Sequence, residues 1–366
     1  MTSAAQKGGS VHDDQDFRGI RALGDHAVMN AAVRKPRARI LLWLALILAL
    51  AFGLRYMTHL PGSSHSGPLP PLSGAEAELR ERLAKHVSVL AGEIGERNLW
   101  RYAALEASAD YIEKTLQATG YQVTAQHYTV NGQTVRNLEA VLPGVAAAGE
   151  VVVIGAHYDS VVGSPGANDN ASGVAALLEI ARLLARQQPA RSVRFVAFVN
   201  EEPPFFSTPD MGSRVYARRA RERGDNIVAM LSLETIGYYT DAKGSQHYPL
   251  LFSPFYPDTA NFIAFVGNLA SRDLVKSCLA SFRGRTAFPA EGIAAPGWMA
   301  GIHWSDHGSF WREGYPAIMV TDTALFRYAH YHASTDTPDK LNYDRLARVV
   351  AGLARMLRDL AVVAGE

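Results

Sequence analysis

The stretch Val151-Val-Val-Ile-Gly-Ala-His157 decides the expected fold, because a short apolar run leads directly into a histidine. Three more runs along the chain are also apolar and rich in β-branched residues, without alternation with polar residues. These runs span residues 193–199, 227–233 and 317–320. Continuous hydrophobicity of this kind indicates strands that are covered on both faces.

Helical patterns lie between and around these runs. Those between and after the runs span residues 172–187, 213–223 and about 256–271. Upstream, two helices and then two strands are expected at 76–93, 103–119, 121–130 and 136–142. Strands that alternate with helices form layered α/β folds. The sequence therefore predicts an α/β domain with a mixed, mostly parallel central sheet sandwiched by helices.

Acidic and imidazole side chains are placed where the predicted strands end. They are His157 after the first run, Asp169 in the glycine-rich loop that follows it, Glu201 and Glu202 after the second run, Glu234 at the end of the third, and His332 far downstream. Open parallel sheets bind ligands beyond the carboxyl ends of their strands. We therefore expect these groups to meet at one edge of the sheet.

The charges of this set indicate a metal site. Crowded carboxylates raise one another's pKa unless cations compensate them, and two divalent ions would neutralise four carboxylates. Ligation by imidazole and carboxylate suits zinc, with cobalt or manganese as alternatives, and the single cysteine, Cys278, excludes a thiolate-rich site. In a two-metal scheme Asp169 would bridge the ions. One imidazole with either Glu202 or Glu234 would complete each side.

Two further carboxylates have expected roles beside the metals. Glu201 is left over next to a metal ligand, so it is the natural general base that takes a proton from the attacking water and passes it to the leaving amine. Asp159, two residues beyond His157, is expected to accept the second imidazole N–H and fix the tautomer. Asp336 is expected to cap the turn before the last helix.

The N-terminal part of the chain predicts a membrane segment ahead of the folded domain. Residues 1–39 are expected to be a disordered cytoplasmic leader, and an apolar stretch at 40–57, preceded by four basic residues, predicts a transmembrane signal anchor. A cleaved export signal and a buried core helix are the alternatives. Residues 58–74, rich in Pro, Ser and Gly, predict a tether. Residues 75–366 are then the catalytic domain on the periplasmic or extracytoplasmic side.

The overall composition sets broad limits. A chain of 366 residues with 48% hydrophobic residues can bury one large core or two modest ones. Its formal net charge of +1 gives no indication of a nucleic-acid partner. Nothing in the sequence indicates the oligomeric state.

Six short motifs resemble those of the M28 zinc aminopeptidases and their relatives. They are Gly155-Ala-His-Tyr-Asp-Ser160, Gly166-Ala-Asn-Asp-Asn-Ala-Ser-Gly173, Asn200-Glu-Glu202, Leu231-Ser-Leu-Glu-Thr-Ile-Gly-Tyr238, Ser305-Asp-His307, and Tyr331-His332 with Asp336-Thr337 and Asp339-Lys-Leu341. The motifs occur in the family's order. The resemblance implies the zinc-exopeptidase fold and a co-catalytic dizinc enzyme that removes N-terminal residues from peptides.

The resemblance also implies individual roles. Glu202 and His332 would share one ion, and His157 and Glu234 would share the other. Asp169 would bridge the two ions, and Glu201 would be the base. Tyr331 matches a tyrosine that helps to hold the tetrahedral intermediate in some members.

Two departures from the family pattern concern the metal and the substrate. Glu234 stands where many members have aspartate, and Pro203-Pro-Phe-Phe206 replaces a stretch of small residues. Other functions of the same fold are a glutaminyl-cyclase-like aminoacyltransferase with one zinc, a carboxypeptidase or a dipeptidase. A non-catalytic membrane adaptor is disfavoured, because such relatives lack several ligands and none is missing here.

Overall fold

The structure is a computed structural model that describes residues 25–249 and 252–362. Its chain divides into two compact units, one up to Tyr56 and one from Met57 onward. The predicted leader lies largely outside the described residues, because 1–24 are not among them.

The first unit contains most of helix α1 (Asp25–Thr58), which begins earlier than the predicted start at residue 40. Within α1, Ala38–Thr58 has a mean hydropathy of 2.1, so it is long and apolar enough to cross a membrane. Its side chains Ile40, Trp43 and Phe52 are exposed, so it is not a core helix. Length and composition fit a membrane anchor or a signal sequence.

Residues 58–74, predicted as a tether, belong to the second unit and are bonded to its other elements. The Arg283 guanidinium donates to the carbonyl oxygens of Pro61 and Gly62, at 2.9 Å each. The Ser64 hydroxyl accepts a hydrogen bond from the backbone N–H of Ala290 at 2.9 Å. Proline lacks an N–H and leaves its neighbours' carbonyls unpaired, so such a segment readily accepts from a basic side chain. The segment is therefore a docked strap and not a free linker.

Within the described residues, eight strands form one sheet. They are β1 (Val123–Val130), β2 (Gln133–Leu142), β3 (Ala147–His157), β4 (Arg191–Phe198), β5 (Asn226–Glu234), β6 (Ile263–Asn268), β7 (Ala290–Ala295) and β8 (Ala317–Thr321). Their order is β1-β2-β4-β3-β5-β8-β6-β7. The pairs β4–β3, β3–β5, β5–β8 and β6–β7 are parallel, whereas β1–β2, β2–β4 and β6–β8 are antiparallel. The prediction of a mixed, mostly parallel sheet is confirmed.

Helices cover both faces of the sheet. They are α2 (Gly74–Val87), α3 (Tyr102–Ala118), α4 (Gly173–Leu184), α5 (Gly212–Glu222), α6 (Arg272–Arg285), α7 (His307–Arg312) and α8 (Tyr343–Leu360). Val152 and Ile154 of β3 belong to the core under α4, α6 and α8. Val151 and Val153 belong to the core with α5 and α7. Alternate residues of one strand thus enter different cores, which explains the continuous apolar run.

One predicted element is wrong, and two elements, α6 and β7, were not predicted. In place of the helix expected at about 256–271, residues 256–262 are irregular and strand β6 follows. Pro254 and Pro257 break the helical pattern, and the apolar run that follows is buried in the sheet. Strand β7 (Ala290–Ala295) is rich in Ala and Gly, so it carries little β propensity.

Candidate metal centre

Three neighbouring parallel strands place the predicted ligands at one sheet edge. His157 is the last residue of β3 and Glu234 is the last residue of β5. Glu202 follows β4, whose Phe198 is paired with His157 in the strand register. Asp169 and His332 arrive from loops. The five predicted ligands are therefore brought together by the edge of the sheet, as the sequence predicted.

The five side chains form two groups that share one carboxylate. The Nε2 atom of His157 lies 3.3 Å from Oδ1 of Asp169 and 3.3 Å from Oε2 of Glu234. The Nε2 atom of His332 lies 3.1 Å from Oδ2 of Asp169 and 3.3 Å from Oε2 of Glu202. In each group the candidate ligand atoms all lie within 4.8 Å of one another. Each oxygen of Asp169 thus faces a different group.

The chemistry of these atoms fits bound metal ions. Among the described residues, Nε2 of His157 and both carboxylate oxygens of Asp169 are buried without a hydrogen-bond partner. Buried polar atoms without partners cost free energy, so such a concentration of them indicates a ligand. The donors are nitrogen and oxygen atoms, the set that zinc accepts in proteins. His157, Asp169 and Glu234 would hold one ion, and Asp169, Glu202 and His332 a second.

The electrostatics of the site also favour cations. Burial, and then the charge of Asp169, raise the pKa of Glu202 to about 8. Burial likewise raises the pKa of Glu201 and that of Glu234, with neighbouring carboxylates adding to the effect. Burial opposes protonation of His332, but the neighbouring carboxylates of Asp169 and Glu202 raise its pKa to about 10. Excess negative charge is therefore relieved here by protons, and divalent cations would take their place.

Asp336 holds the loop that carries the shared carboxylate. Its two oxygens accept the backbone N–H groups of Asn168 and Asp169, at 2.8 and 3.0 Å. The Tyr328 hydroxyl donates to the same carboxylate at 2.7 Å. The expected turn-capping role before the last helix is therefore wrong, because both oxygens of Asp336 are turned toward the metal-site loop.

Asp159 also acts differently from the prediction. Its carboxylate oxygens accept the backbone N–H groups of Glu201 and Glu202, both at 3.1 Å. The imidazole Nδ1 of His157 lies 3.2 Å from the backbone carbonyl oxygen of Asp159, closer than the 3.6 Å to its carboxylate. The His157 tautomer is thus set mainly by a main-chain carbonyl. The Asp159 side chain instead fixes the acidic pair after β4.

Arg97 was not found by sequence reasoning, although it braces the same loops. It is fully buried, and its guanidinium donates to the carbonyl oxygens of Tyr158 at 2.7 Å and Gly166 at 2.9 Å. Burial lowers its pKa to about 10, against the opposing pull of Asp159 and Asp336. Its partners are main-chain carbonyls, which leave no pattern in a sequence.

The remaining predicted residues lie around the two ligand groups. Oε2 of Glu201 lies 3.9 Å from Nε2 of His157, and Glu201 belongs to neither group. The Ser305 hydroxyl donates to Oε2 of Glu234 at 2.7 Å, which orients the longer side chain. The Tyr331 ring stacks on the His332 ring with centroids 3.9 Å apart. Glu201 is thus an acidic side chain beside the two groups that belongs to neither of them.

An apolar cavity of about 360 Å³ opens beside the site and reaches Glu234 and Tyr331. Its inner wall is formed by side chains of β6 and β8 and of the loop after β7. They include Phe262, Val266, Ile302 and Met319. A cavity of this size and lining accommodates a large apolar side chain.

Comparisons with known proteins agree with this geometry. The profile of Peptidase family M28 matches residues 137–357. The uncharacterized protein YfbL of Escherichia coli (strain K12) is 41% identical over 286 residues, which cover 76% of this chain and 87% of that protein. Among solved structures, BSAP, a zinc aminopeptidase from Bacillus subtilis, has a TM-score of 0.63 at 15% identity, over 78% of this chain and 96% of that one.

A second solved structure belongs to a different activity. The glutaminyl cyclase of Fimbriiglobus ruber has a TM-score of 0.58 at 19% identity, over 81% of this chain and 99% of that one. At these identities the solved structures show the shared fold. The sequence profile and the 41% relative show the family.

Proposed function

Because the chain belongs to peptidase family M28, we propose that it is a membrane-anchored dizinc aminopeptidase that removes N-terminal residues from peptides. One observation carries this proposal. Asp169 presents one oxygen to His157 and Glu234 and the other to His332 and Glu202. A carboxylate shared in this way is the arrangement that a two-metal hydrolytic site requires.

Zinc would lower the pKa of the attacking water and polarise the scissile carbonyl when bound. Glu201 supplies the proton transfer in this proposal. Its backbone is fixed by Asp159, and its carboxylate lies beside the His157 ligand without joining either group. As a carboxylate, Glu201 can take a proton from the water and release it to the leaving amine.

The apolar cavity indicates which N-terminal residue is preferred. It adjoins Glu234 and Tyr331, so a substrate bound at the metals would place its first side chain against Phe262, Val266 and Met319. We expect large apolar N-terminal residues to be cleaved fastest. The family resemblance implies that Tyr331 would donate its hydroxyl to the substrate's reacting carbonyl group.

The membrane part of the proposal is supported by Ala38–Thr58. Four basic residues lie just before its apolar run, at 34, 35, 37 and 39, which favours a cytoplasmic N-terminus and an exported catalytic domain. An anchor is favoured over a cleaved signal by the long polar leader. Retention of the full-length chain in membranes after alkaline washing would support the anchor.

The activity is tested on the purified full chain. Elemental analysis should give two zinc ions per chain. A panel of peptides with free N-termini should be hydrolysed, whereas N-acetylated copies should not. Cleavage of the blocked peptides at equal rates would contradict the aminopeptidase assignment and indicate another exopeptidase, such as a carboxypeptidase.

A glutaminyl-cyclase-like activity is the second candidate, favoured by the structural likeness to the Fimbriiglobus enzyme. It would need one zinc ion per chain and would convert peptides with N-terminal glutamine to pyroglutamyl products. Both histidines of the two-group site are retained, which favours the dizinc peptidase. A chain that holds no zinc and acts on neither class of peptide would indicate a binding protein.

A further inference from the structure

The mouth of the apolar cavity carries exposed apolar side chains on the protein surface. Trp298 is 81% exposed, Leu325 is 46% exposed and Trp304 is 41% exposed. All three belong to the lining of the cavity. We define these three residues as the aromatic rim. Exposed tryptophans grouped around an opening are costly in water and indicate a surface that is covered by a partner.

The last two residues of the candidate membrane span, Met57 and Thr58, belong to the second unit. The Met57 side chain packs on the cluster formed by Phe262, Ala264, Val266 and other residues. The same three residues line the cavity. Within the second unit, the end of the candidate span is therefore in contact with the cavity wall.

The strap that follows reinforces this connection. Leu60 packs so closely on β7 that a Cβ atom at Gly292 would lie 2.7 Å from its Cδ1. Gly292 also lines the cavity. Arg283 and Ala290 fix the next residues of the strap by hydrogen bonds to Pro61 and Ser64. The residues that follow the candidate span are thus docked beside the cavity.

We propose that the aromatic rim contacts the lipid bilayer surface, so that the active-site cavity opens at the membrane interface. Tryptophan prefers this location because its ring is apolar and its N–H is polar. A peptide held at the bilayer would then reach the cavity without first leaving the membrane surface. This inference rests on the anchoring part of the proposed function and not on the peptidase activity.

The test uses the full chain reconstituted in phosphatidylcholine–phosphatidylglycerol nanodiscs. Cys278 is fully buried, so a polarity-sensitive thiol label will react with an introduced cysteine in Trp298→Cys. The control is Val145→Cys, because Val145 is 67% exposed, lies just before β3 and does not line the cavity. Nitroxide lipids report whether each label touches the bilayer.

A lipid with a nitroxide near its headgroup should quench about half of the fluorescence of the label at position 298. This is expected for a group that lies about 5–10 Å deep in the membrane interface. The label at position 145 should lose no fluorescence. Equal quenching at the two positions in a membrane-retained protein would overturn the proposal alone. Release of the protein by alkaline washing would overturn the anchor and this inference together. Peptidase activity does not enter this readout.

A second measurement compares one apolar N-terminal peptide with and without a C-terminal acyl chain. The wild-type protein in vesicles should have a higher kcat/KM for the acylated peptide. Trp298→Ser should lower the ratio of kcat/KM for the acylated peptide to kcat/KM for the plain peptide by about fivefold. This is the effect expected from the loss of one aromatic contact with the bilayer. Val145→Ser should keep the ratio. A ratio unchanged in Trp298→Ser would mean that the rim does not bring the cavity to membrane-bound peptides.

Discussion

Two clusters of buried charged groups in this protein behave in opposite ways. On α4, the carboxylate of Glu179 is bonded by Arg82 at 3.0 Å, Arg182 at 2.7 Å and His86 at 3.1 Å. Burial works against ionisation, but these partners lower the pKa of Glu179 to about 2. At the sheet edge, by contrast, carboxylates outnumber imidazoles, and burial raises the pKa of Glu201, Glu202 and Glu234.

The difference shows how a structural charge cluster is told apart from a functional one. The Glu179 cluster is complete within the chain, because each oxygen has cationic partners. The sheet-edge cluster leaves buried oxygens of Asp169 and a nitrogen of His157 without partners in the described part of the chain. Buried polar atoms that lack partners cost free energy of folding, so their presence together indicates a bound ligand that the chain itself does not supply.

The largest expected effect separates catalysis from stability. Glu201→Gln removes the base but keeps the size of the side chain, so kcat should fall by about 100- to 10,000-fold. Zinc content should stay unchanged, because Glu201 belongs to neither ligand group. The matched control, Glu179→Gln, should keep kcat per folded molecule. Full turnover by Glu201→Gln with metal bound would contradict its role.

Removal of metal should destabilise the protein strongly. At zinc concentrations 1,000 times the dissociation constant, binding contributes about 4 kcal/mol to the free energy of unfolding, and a chelator removes it. The metal-free protein should also lose stability as pH rises. The folded-state pKa of Glu202 is raised from 4.5 to about 8, so its stabilising proton is lost between these values. Thermal unfolding with and without chelator, at pH 5.5 and 8, checks both effects.

Removal of the Glu179 charge should lower the stability of the protein without changing its activity. Glu179→Gln leaves Arg82 and Arg182 without their anion, so the free energy of unfolding at pH 7 should fall by about 3 kcal/mol. The folded-state pKa of Glu179 is lowered from 4.5 to about 2, so the wild type loses this stabilisation as pH falls through that window.

In denaturant unfolding, the wild type should therefore have a larger free energy of unfolding than Glu179→Gln at pH 7. The two free energies should become equal near pH 2. Glu78→Gln is the control, because Glu78 is an exposed residue of α2, the helix that also carries Arg82. An equal gap between wild type and Glu179→Gln at both pH values would show that the charge of Glu179 is not what stabilises the cluster.

The smallest of these effects concerns the support of the shared ligand. Asp336→Asn turns one acceptor of the Asn168 and Asp169 N–H groups into a donor, which loosens the Asp169 loop. Zinc affinity should fall by about 10- to 100-fold, as for other residues that orient metal ligands. Competition with a chromophoric chelator measures it, and Asp339→Asn, at an exposed position, should bind zinc as the wild type does.

The sequence could predict which side chains stand at the ends of the central strands, because local patterns define those strands. His157 and Glu234 are the last residues of apolar strands. The carboxyl ends of parallel strands lie at one edge of the sheet regardless of loop conformation. Residues 256–271 were assigned to a helix because their apolar spacing is ambiguous at that length. Only pairing with β8 and β7 makes residues 263–268 a strand.

The sequence by itself determined the strands from β1 to β5 and β8, the apolar N-terminal span and the set of candidate metal ligands, because periodicity and residue type are local properties. Tertiary structure decided that Asp336 and Arg97 brace the site, that Asp159 holds the acidic pair, and that the strap is docked on the domain. These contacts join residues far apart in the chain, largely through main-chain N–H and C=O groups. Every residue carries a C=O and every residue except proline an N–H, so no sequence pattern marks the ones that are used.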